Sequence, residues 1–212
     1  MSRPAGADAE LTKRRLIDAA TAEFSRCGVA ATSMRAVARD AEVSLATIHY
    51  YFRTKSALHA ACMDAVEGSL VAAFVPMEAI LGGVSAALES TQASQQALAK
   101  ATEKATRRAF RIARKHQREL KLVMRPWMES GELDPRWREN VLLPFLDTMS
   151  VALAARLGRP ARQLRLDIQS LMILGTRFAL TTSRELAEMA GTVAPGAPLR
   201  KTDETKIGRA HV

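Results

Sequence analysis

The sequence predicts an all-α protein, and three observations support this prediction. Apolar residues recur at spacings of three and four over long stretches, as they do in helices that bury one face. No segment alternates between apolar and polar residues over more than a few positions, so no strand is predicted. Glycine, proline and helix-capping residues divide the chain into lengths that suit single helices. The 212 residues, 48% of them apolar, allow a small domain followed by a larger one.

The composition narrows the class of protein. A formal net charge of +9 favours a polyanionic partner. The sequence shows no long uncharged apolar stretch and no secretory leader, which predicts a cytoplasmic protein with no membrane contact. Cys27 and Cys62 are too few for a disulfide framework, so we predict buried thiols, with a redox pair as the alternative. The dispersed histidines predict no metal site. No catalytic grouping or phosphate loop is found, so we predict no cofactor and no enzyme activity.

Four helices are predicted in the first third of the chain. Residues 1–9 should form a flexible arm, and a first helix should run from Glu10 to about Arg26, with Gly28 as its left-handed stop. The next three helices should begin after side-chain oxygens that accept a backbone N–H, namely those of Thr32, Ser44 and Thr54. The last of these should end near Val75.

Four further helices are predicted in the rest of the chain. They span about 94–115, 118–128, 135–157 and 161–189, and residues 191–212 should be a disordered tail. Asp134 and Pro135 supply an N-cap and a first-turn proline for the third of these helices. Pro144 should kink that helix and Gly158 should end it, because proline removes a backbone donor and glycine tolerates a left-handed conformation.

Residues 32–55 carry the pattern of two short helices joined by a tight turn, a helix-turn-helix. Four apolar residues can lock the angle between these helices, namely Val37, Val43, Ile48 and Phe52. The second helix then presents small and polar side chains outward, as a helix that enters the major groove of DNA must do. The outward residues are Ser44, Leu45, Ala46, Thr47, His49 and Tyr50.

The order and spacing of residues in this segment resemble the TetR family of bacterial transcriptional regulators. The matching residues are Gly28, Thr32, Ser33, Ala41, Val43, Ser44, Thr47, Ile48, Tyr51, Phe52, Lys55 and Leu58. The resemblance is strongest over residues 12–64, and beyond them it extends only to the helical plan and the length. It implies a three-helix DNA-binding domain at 10–57, with the helix-turn-helix at about 33–52. It also implies a larger helical domain for effector binding and dimerisation at 58–190.

The resemblance further implies which residues touch a double-stranded DNA operator. Ser33 and Lys55 match phosphate contacts, while His49 and Tyr50 match positions that touch phosphate and thymine methyl groups. The tip of the recognition helix is matched by Ser44, Leu45, Ala46 and Thr47. Further backbone contacts are expected from Lys13, Arg14 and Arg15.

Three residues depart from the usual pattern of the family. Glu42 stands in the turn where glycine is common, and a left-handed conformation is unfavourable there by about 1–2 kcal/mol, so the turn is either strained or differently shaped. Ala46 replaces a common glycine and His49 replaces a common tyrosine. The operator sequence therefore does not follow from that of a relative.

A homodimer is predicted from two of the later helices. In the last helix apolar and small residues recur at spacings of four and three, as in a coiled-coil seam, and helix 135–157 is apolar around most of its circumference. The predicted interface residues are Val141, Phe145, Leu164, Ile168, Leu171, Gly175 and Phe178. Two buried core helices in a monomer are the alternative.

Bulky side chains of the middle helices are candidates for the wall of an effector pocket. They are Met63, Phe110, Met124, Trp127, Met128 and Phe178. Residues 100–125 hold ten Lys and Arg against two Asp and Glu, and this basic stretch is either a solvated face or the seat of an anionic effector. In the second case Arg111 and Arg114 would be its contacts. The unknown effector is therefore predicted to be apolar or anionic.

Together these features predict a homodimeric repressor that leaves a near-palindromic operator when a small-molecule effector binds. The alternatives are a ligand-independent or activating regulator and a DNA-binding protein without sequence specificity. A helical enzyme that keeps the motif would need a convergent nucleophile, base or metal group, and the sequence shows none.

Overall fold

The computed structural model describes residues 5–74, 95–192 and 194. All regular structure in these ranges is helical, which confirms the predicted all-α class. The helices are α1 (Ala5–Ala31), α2 (Met34–Asp40), α3 (Leu45–Tyr51), α4 (Lys55–Phe74), α5 (Gln95–Lys115), α6 (Gln117–Ser130), α7 (Pro135–Trp137), α8 (Leu143–Leu157), α9 (Ala161–Leu180) and α10 (Ser183–Met189). Residues 1–4 of the predicted arm and residues 193 and 195–212 of the predicted tail lie outside the described residues.

The chain divides into two compact units. The N-terminal unit holds residues 1–71 with 118–141, and the C-terminal unit holds residues 72–117 with 142–212. The described helices of the C-terminal unit are α5, α8, α9 and α10, and α9 packs against both α5 and α8. None of the described helices is both long enough and apolar enough to cross a bilayer. The domain boundaries at 57 and 190 stay predictions.

Helix α1 begins earlier than predicted, at Ala5 instead of Glu10. Asp8 lies in its first turn, where the helix dipole favours a carboxylate, and the Thr12 hydroxyl donates to the Asp8 carbonyl at 2.8 Å. Residues 5–9 are therefore helical, whereas we predicted an arm there. The inner face of α1 buries Leu16, Ala20 and Phe24 completely in the N-terminal unit.

Gly28 bends α1 without the left-handed helical stop that was predicted. Its φ of 81° and ψ of 163° lie in a region that is essentially open to glycine alone, and the chain then continues helically to Ala31. Thr32 is buried, and its hydroxyl and N–H both donate to the Gly28 carbonyl, at 2.8 and 3.3 Å. The predicted capping role of Thr32 is therefore wrong, because its side chain closes the bend.

Arg125 of α6 holds this bend in place. Its Nη2 donates to the Arg26 carbonyl at 3.1 Å and to the Ser25 carbonyl at 3.5 Å, while Nη1 pairs with Glu129 at 2.9 Å. A Cβ atom placed on Gly28 would lie 3.2 Å from Nη1 of Arg125. Glycine thus serves both the backbone conformation and the close approach of the guanidinium.

Asp134 caps α7 as predicted, but the single kinked helix expected after it is divided. A π-helix occupies Arg138–Leu142, and α8 begins directly after it, with Pro144 in its first turn. Proline has no N–H to donate to the carbonyl one turn back and its ring clashes with that carbonyl, so a wider turn accommodates it. Gly158 ends α8 at a left-handed φ of 60°, as predicted.

The predicted last helix is two helices, α9 and α10. Thr181 is extended, and Thr182 caps α10 by accepting from the N–H of Glu185 at 3.1 Å. Arg114, at the end of α5, donates to the Thr181 carbonyl at 2.7 Å and to the Ser183 hydroxyl at 2.9 Å. The break is thus stabilised by a tertiary contact to the Thr181 carbonyl between the helices and to the Ser183 hydroxyl in the first turn of α10.

Candidate nucleic-acid interface

The helix-turn-helix consists of α2, a turn at residues 41–44, and α3. Each helix starts with a serine whose hydroxyl oxygen accepts a backbone N–H. Ser33 accepts from Ala36 at 3.1 Å, so it caps α2 in place of Thr32. Ser44 caps α3 as predicted, since it accepts from the Thr47 N–H at 3.0 Å. Losing such a cap typically costs about 1 kcal/mol, so both serines stabilise the motif locally.

The turn between α2 and α3 is closed by two backbone hydrogen bonds. The Glu42 N–H donates to the Arg39 carbonyl at 3.0 Å, and the Val43 N–H donates to the Ala38 carbonyl at 2.9 Å. This pair of bonds is a Schellman motif, which places its central residue in a left-handed conformation. Glu42 has a φ of 54°, and it is the one non-glycine residue in the described ranges with a positive φ. Of the two alternatives for this turn, a left-handed residue or a different shape, the structure shows the left-handed residue.

Buried apolar side chains fix the angle between α2 and α3. Val37 and Ile48 are fully buried, Phe52 is 6% exposed, and Val43 is half-buried. These are the four residues that the sequence predicted for this role. The recognition helix α3 is therefore anchored through one face only.

The opposite face of α3 is open to solvent. The structure brings together there the exposed residues Ser44, Leu45, Ala46, His49 and Tyr50, with Thr47 half-buried beside them. Tyr50 is 82% exposed, and its ring stands edge-on to that of Tyr51 at a centroid distance of 5.3 Å. The hydroxyl groups of Ser44 and Thr47 share one hydrogen bond, with 2.8 Å between the oxygens. Because this bond uses only one of the two hydroxyl protons, the other is available to an acceptor. This face offers hydrogen bonds and apolar contacts, as a base-reading surface needs.

Two predicted phosphate contacts also bond to the protein itself. Lys55 donates from Nζ to the carbonyls of Ala30 and Thr32, each at 3.0 Å, and so ties the start of α4 to the end of α1. Arg15 donates from Nη2 to the Ala41 carbonyl in the turn at 2.6 Å. Sequence reasoning missed both roles because they join residues far apart in the chain.

Several exposed basic side chains surround the motif. Lys13 and Arg14 are exposed on α1, as phosphate contacts must be. Arg35 in α2 and Arg53 after α3 are also exposed, and neither makes an ion pair with any residue that the structure describes. Sequence reasoning did not select these two arginines, although each lies beside an end of a motif helix.

Residues 16–62 match the family model for bacterial regulatory proteins of the tetR family. This segment contains the whole of α2, the turn and α3, with the helices that support them. Residues 16–62 of the chain are thus similar to the tetR family of bacterial regulatory proteins. The match and the helix-turn-helix that it contains indicate a DNA-binding transcriptional regulator.

Several solved structures are similar to this chain in fold. A protein of Streptomyces coelicolor described as a transcriptional regulator is 18% identical with a TM-score of 0.57, covering 94% of this chain and 96% of its own. A TetR-like transcriptional regulator from Rhodococcus sp. RHA1 gives the same identity, TM-score and share of this chain, and 93% of its own chain is covered. A protein of Mesorhizobium loti described as a TetR-family regulator is 17% identical with a TM-score of 0.50, covering 96% and 94%. No curated protein matches the sequence.

The residues predicted to line an effector pocket are divided between the two units. Met63 is buried and Met124 half-buried in the N-terminal unit, where Trp127 and Met128 are 37% and 62% exposed. The C-terminal unit holds Phe110, which packs on Leu186 and Ala187, together with Arg111, Arg114 and Phe178. A groove of about 370 Å³ lies in the N-terminal unit, and none of these predicted residues lines it.

The predicted dimer residues fall into two groups. On α9, Gly175 is exposed, and Leu171 and Phe178 are 69% and 39% exposed. Leu164 is wrong as an interface residue, because it is only 4% exposed on the side of α9 that packs within its own unit. The remaining residues are half-buried, namely Val141, Phe145 and Ile168. The exposed face of α8 carries other, mostly small residues: Pro144, Thr148, Val151, Ala152 and Ala155.

The two cysteines differ in burial. Burial raises the pKa of the Cys62 thiol to about 11, so it stays protonated and unreactive at neutral pH. Its Sγ lies 3.6 Å from the Ile17 carbonyl, inside the N-terminal unit. Cys27 is half-buried with a free thiol. Within the described parts of the chain, no three His, Cys, Asp or Glu side chains are arranged to hold a metal ion.

Proposed function

We propose that this regulator is a homodimeric repressor that leaves a near-palindromic operator when a small apolar molecule binds to it. The observation that carries the proposal is the unburied apolar surface of α9. Six large side chains of this one helix are exposed, namely Leu166, Leu171, Met172, Ile173, Leu174 and Phe178. A monomer in water would leave this area unpaired, and contiguous apolar patches of this kind mark interaction surfaces.

The exposed faces of α8 and α9 complement each other in size. The open face of α8 presents small side chains such as Thr148, Ala152 and Ala155, whereas α9 presents leucines. Large side chains of one subunit can then pack over small ones of the other, and the two-fold axis repeats the contact. We infer a four-helix interface made of α8 and α9 from each subunit.

A dimer also suits the way in which α3 would read DNA. One seven-residue helix exposes few groups that can touch bases, so a single helix-turn-helix reaches only a short half-site. Two copies related by a two-fold axis reach two half-sites about one or more helical turns apart. Arg35, Arg53, Lys13 and Arg14 would supply phosphate contacts beside Ser33 and Lys55, so the affinity should fall steeply with salt.

The side-chain contacts favour an apolar effector over an anionic one. Arg114 already donates to the Thr181 carbonyl and the Ser183 hydroxyl, so its guanidinium is committed. Arg111 is exposed and lies on the same stripe of α5 as the exposed Lys104, Arg108 and Lys115. This arrangement is typical of a solvated helix face. Phe110, packed on the core of the C-terminal unit, is a better candidate for a ligand contact.

The test has three measurements on the full chain. Light scattering at micromolar concentration should give the mass of a dimer, and a monomer would contradict the interface. Selection from a random DNA pool should enrich a near-palindrome, and footprinting should protect it as a discrete site. A protein without sequence specificity would enrich nothing.

The effector part is tested with a neutral apolar probe, Nile red, and with the enriched duplex. We expect a fixed number of dye molecules to bind per protein chain, and the dye to weaken the mobility shift of the duplex. Arg111→Ala should leave dye affinity unchanged, whereas Phe110→Ala should lower it. An equal response of the two variants would contradict an apolar site at Phe110.

A further inference from the structure

We propose that Arg15 is a positioning residue for the recognition helix: its guanidinium holds the turn between α2 and α3 in the shape that a glycine at position 42 would otherwise provide. This inference rests on DNA binding through α3. It assigns to Arg15 a role different from the phosphate contact that the sequence suggested.

The turn needs support because its central residue is not glycine. Glu42 has a φ of 54°, a region that side chains with a Cβ atom enter at a penalty. The Schellman bonds from Glu42 to Arg39 and from Val43 to Ala38 exist only while this φ is kept. Any relaxation of Glu42 would change the direction in which the chain enters α3.

Arg15 contacts this turn at two oxygen atoms through one nitrogen. Its Nη2 donates to the Ala41 carbonyl at 2.6 Å and to Oε2 of Glu42 at 3.0 Å. Ala41 directly follows the last residue of α2, and carbonyls at the C-terminal end of a helix have no partner within the helix. The first contact therefore satisfies a carbonyl at the helix end, and the second fixes the side chain of the left-handed residue itself.

The backbone that carries Arg15 is well anchored, while its side chain is 44% exposed. It precedes Leu16, which is fully buried in the core of the N-terminal unit, so the backbone of α1 is fixed at this point. The contact spans 26 positions in the sequence and joins α1 directly to the turn. The recognition helix is thus positioned by its own buried residues and, through the turn that precedes it, by Arg15.

The surroundings of Arg15 disfavour a DNA phosphate. The guanidinium lies in the groove of about 370 Å³, whose other lining residues include the three acids Asp18, Asp40 and Glu42 and one further cation, Arg118. A phosphate approaching Arg15 would meet these carboxylates, and like charges repel at such distances. One of these acids, Glu42, pairs with the guanidinium at 3.0 Å.

The salt dependence of DNA binding separates a positioning residue from a phosphate contact. The probe is a duplex enriched from a random pool by the wild-type protein. Arg15→Gln should lower the affinity about tenfold, as expected when a charged hydrogen-bond donor is lost, but leave the slope of log K against log salt unchanged. Arg14→Gln is the matched control: it is exposed, and as a phosphate contact it should reduce the slope by about 0.9.

Amide hydrogen exchange without DNA gives a second, independent readout. In Arg15→Gln the N–H groups of Glu42 and Val43 should exchange faster, because the bonds that close the turn open more often. In Arg14→Gln these two amides should exchange as in the wild type. Arg15→Lys, which keeps one donor, should fall between wild type and Arg15→Gln in both readouts.

The coupling to position 42 is specific to this proposal. In a Glu42→Gly background the turn no longer needs the support, so Arg15→Gln should lower the affinity by less than about threefold. Additive effects of the two changes would overturn the proposal, as would a lower salt slope with unchanged exchange for Arg15→Gln. If the wild-type protein enriches no duplex, the DNA-reading function fails, while the exchange experiment still tests the contact.

Discussion

Helices α3 and α9 both expose apolar side chains, but they do so in different structural settings. Helix α3 is short, capped by Ser44 and anchored by the fully buried Ile48, and its exposed residues are mixed in character. Helix α9 has 20 residues, of which only Leu164 and Ala179 are buried. The helix-turn-helix is thus supported by its own unit, whereas α9 leaves apolar side chains exposed that the proposed dimer would cover.

The largest expected effect comes from placing charge on α9. Leu171→Glu combined with Leu174→Glu should give a monomer, because each interface would bury carboxylates without partners. The affinity for the operator should fall at least about a hundredfold, since simultaneous contact with two half-sites is lost. Analytical ultracentrifugation and a mobility shift measure the two effects.

The control for this variant is Gln163→Glu, which adds a charge at an exposed polar position of the same helix. It should keep the mass and the DNA affinity of the wild type. If the double-glutamate variant still sediments as a dimer, α9 is not part of the interface. The contrast drawn between α3 and α9 would then not hold.

We expect the stability of the N-terminal unit to depend on the backbone conformation at Gly28. Gly28→Ala should destabilise the fold by about 2 kcal/mol, because alanine is strained at this backbone conformation and its Cβ would crowd Arg125. In a chain of this length such a loss lowers the melting temperature by roughly 4–8 °C, which calorimetry measures.

Gly68→Ala is the matched control in α4. A Cβ atom there would meet nothing within 4 Å, so alanine should stabilise the helix by roughly 0.5–1 kcal/mol. Opposite signs for the two substitutions are expected. Equal and small effects would mean that the bend at Gly28 is not under strain and that Arg125 moves freely.

Ser44 has two roles that two substitutions can separate. Ser44→Ala removes the cap of α3 and should lower stability by about 1 kcal/mol. Ser44→Asp keeps a good capping group, so stability should remain near that of the wild type, while its negative charge should repel the DNA backbone. Thermal unfolding and mobility shifts are measured on both variants. Full DNA affinity in Ser44→Asp would place Ser44 away from the phosphates.

The sequence could predict those features that depend on a few neighbouring residues. The caps at Ser44 and Asp134 and the left-handed Gly158 and Glu42 belong to this class, since each is set within about four positions. The buried residues of the helix-turn-helix also followed from their spacing, for example Val37.

Features set by distant side chains did not follow from the sequence. The break between α9 and α10 depends on Arg114 of α5, and the contacts of Arg15 and Lys55 depend on residues more than twenty positions away. Periodicity likewise placed Leu164 in the interface seam, but the packing of α9 on its own unit buries it. A sequence pattern shows which side of a helix is apolar, and only packing shows what covers that side.

The smallest expected effect concerns His59, which is half-buried in the N-terminal unit. Its ring stands edge-on to Phe24 at a centroid distance of 5.5 Å, and burial lowers its pKa, while Asp134 partly opposes this. The unfolded chain therefore binds a proton at His59 more readily than the folded one. The free energy of unfolding should decrease as the pH falls through the ordinary pKa of histidine, near 6.5.

Urea unfolding at pH 7.5 and pH 5.5 tests this, with His59→Gln as the variant that cannot be protonated. The loss of stability between the two pH values should be smaller in the variant than in the wild type, by an amount that measures His59 alone. His49→Gln makes the same substitution at an exposed position of α3 and is measured beside it as the control. If His59→Gln loses as much stability between the two pH values as the wild type, protonation of His59 does not oppose folding. The packing of His59 on Phe24 would then tolerate a charged ring.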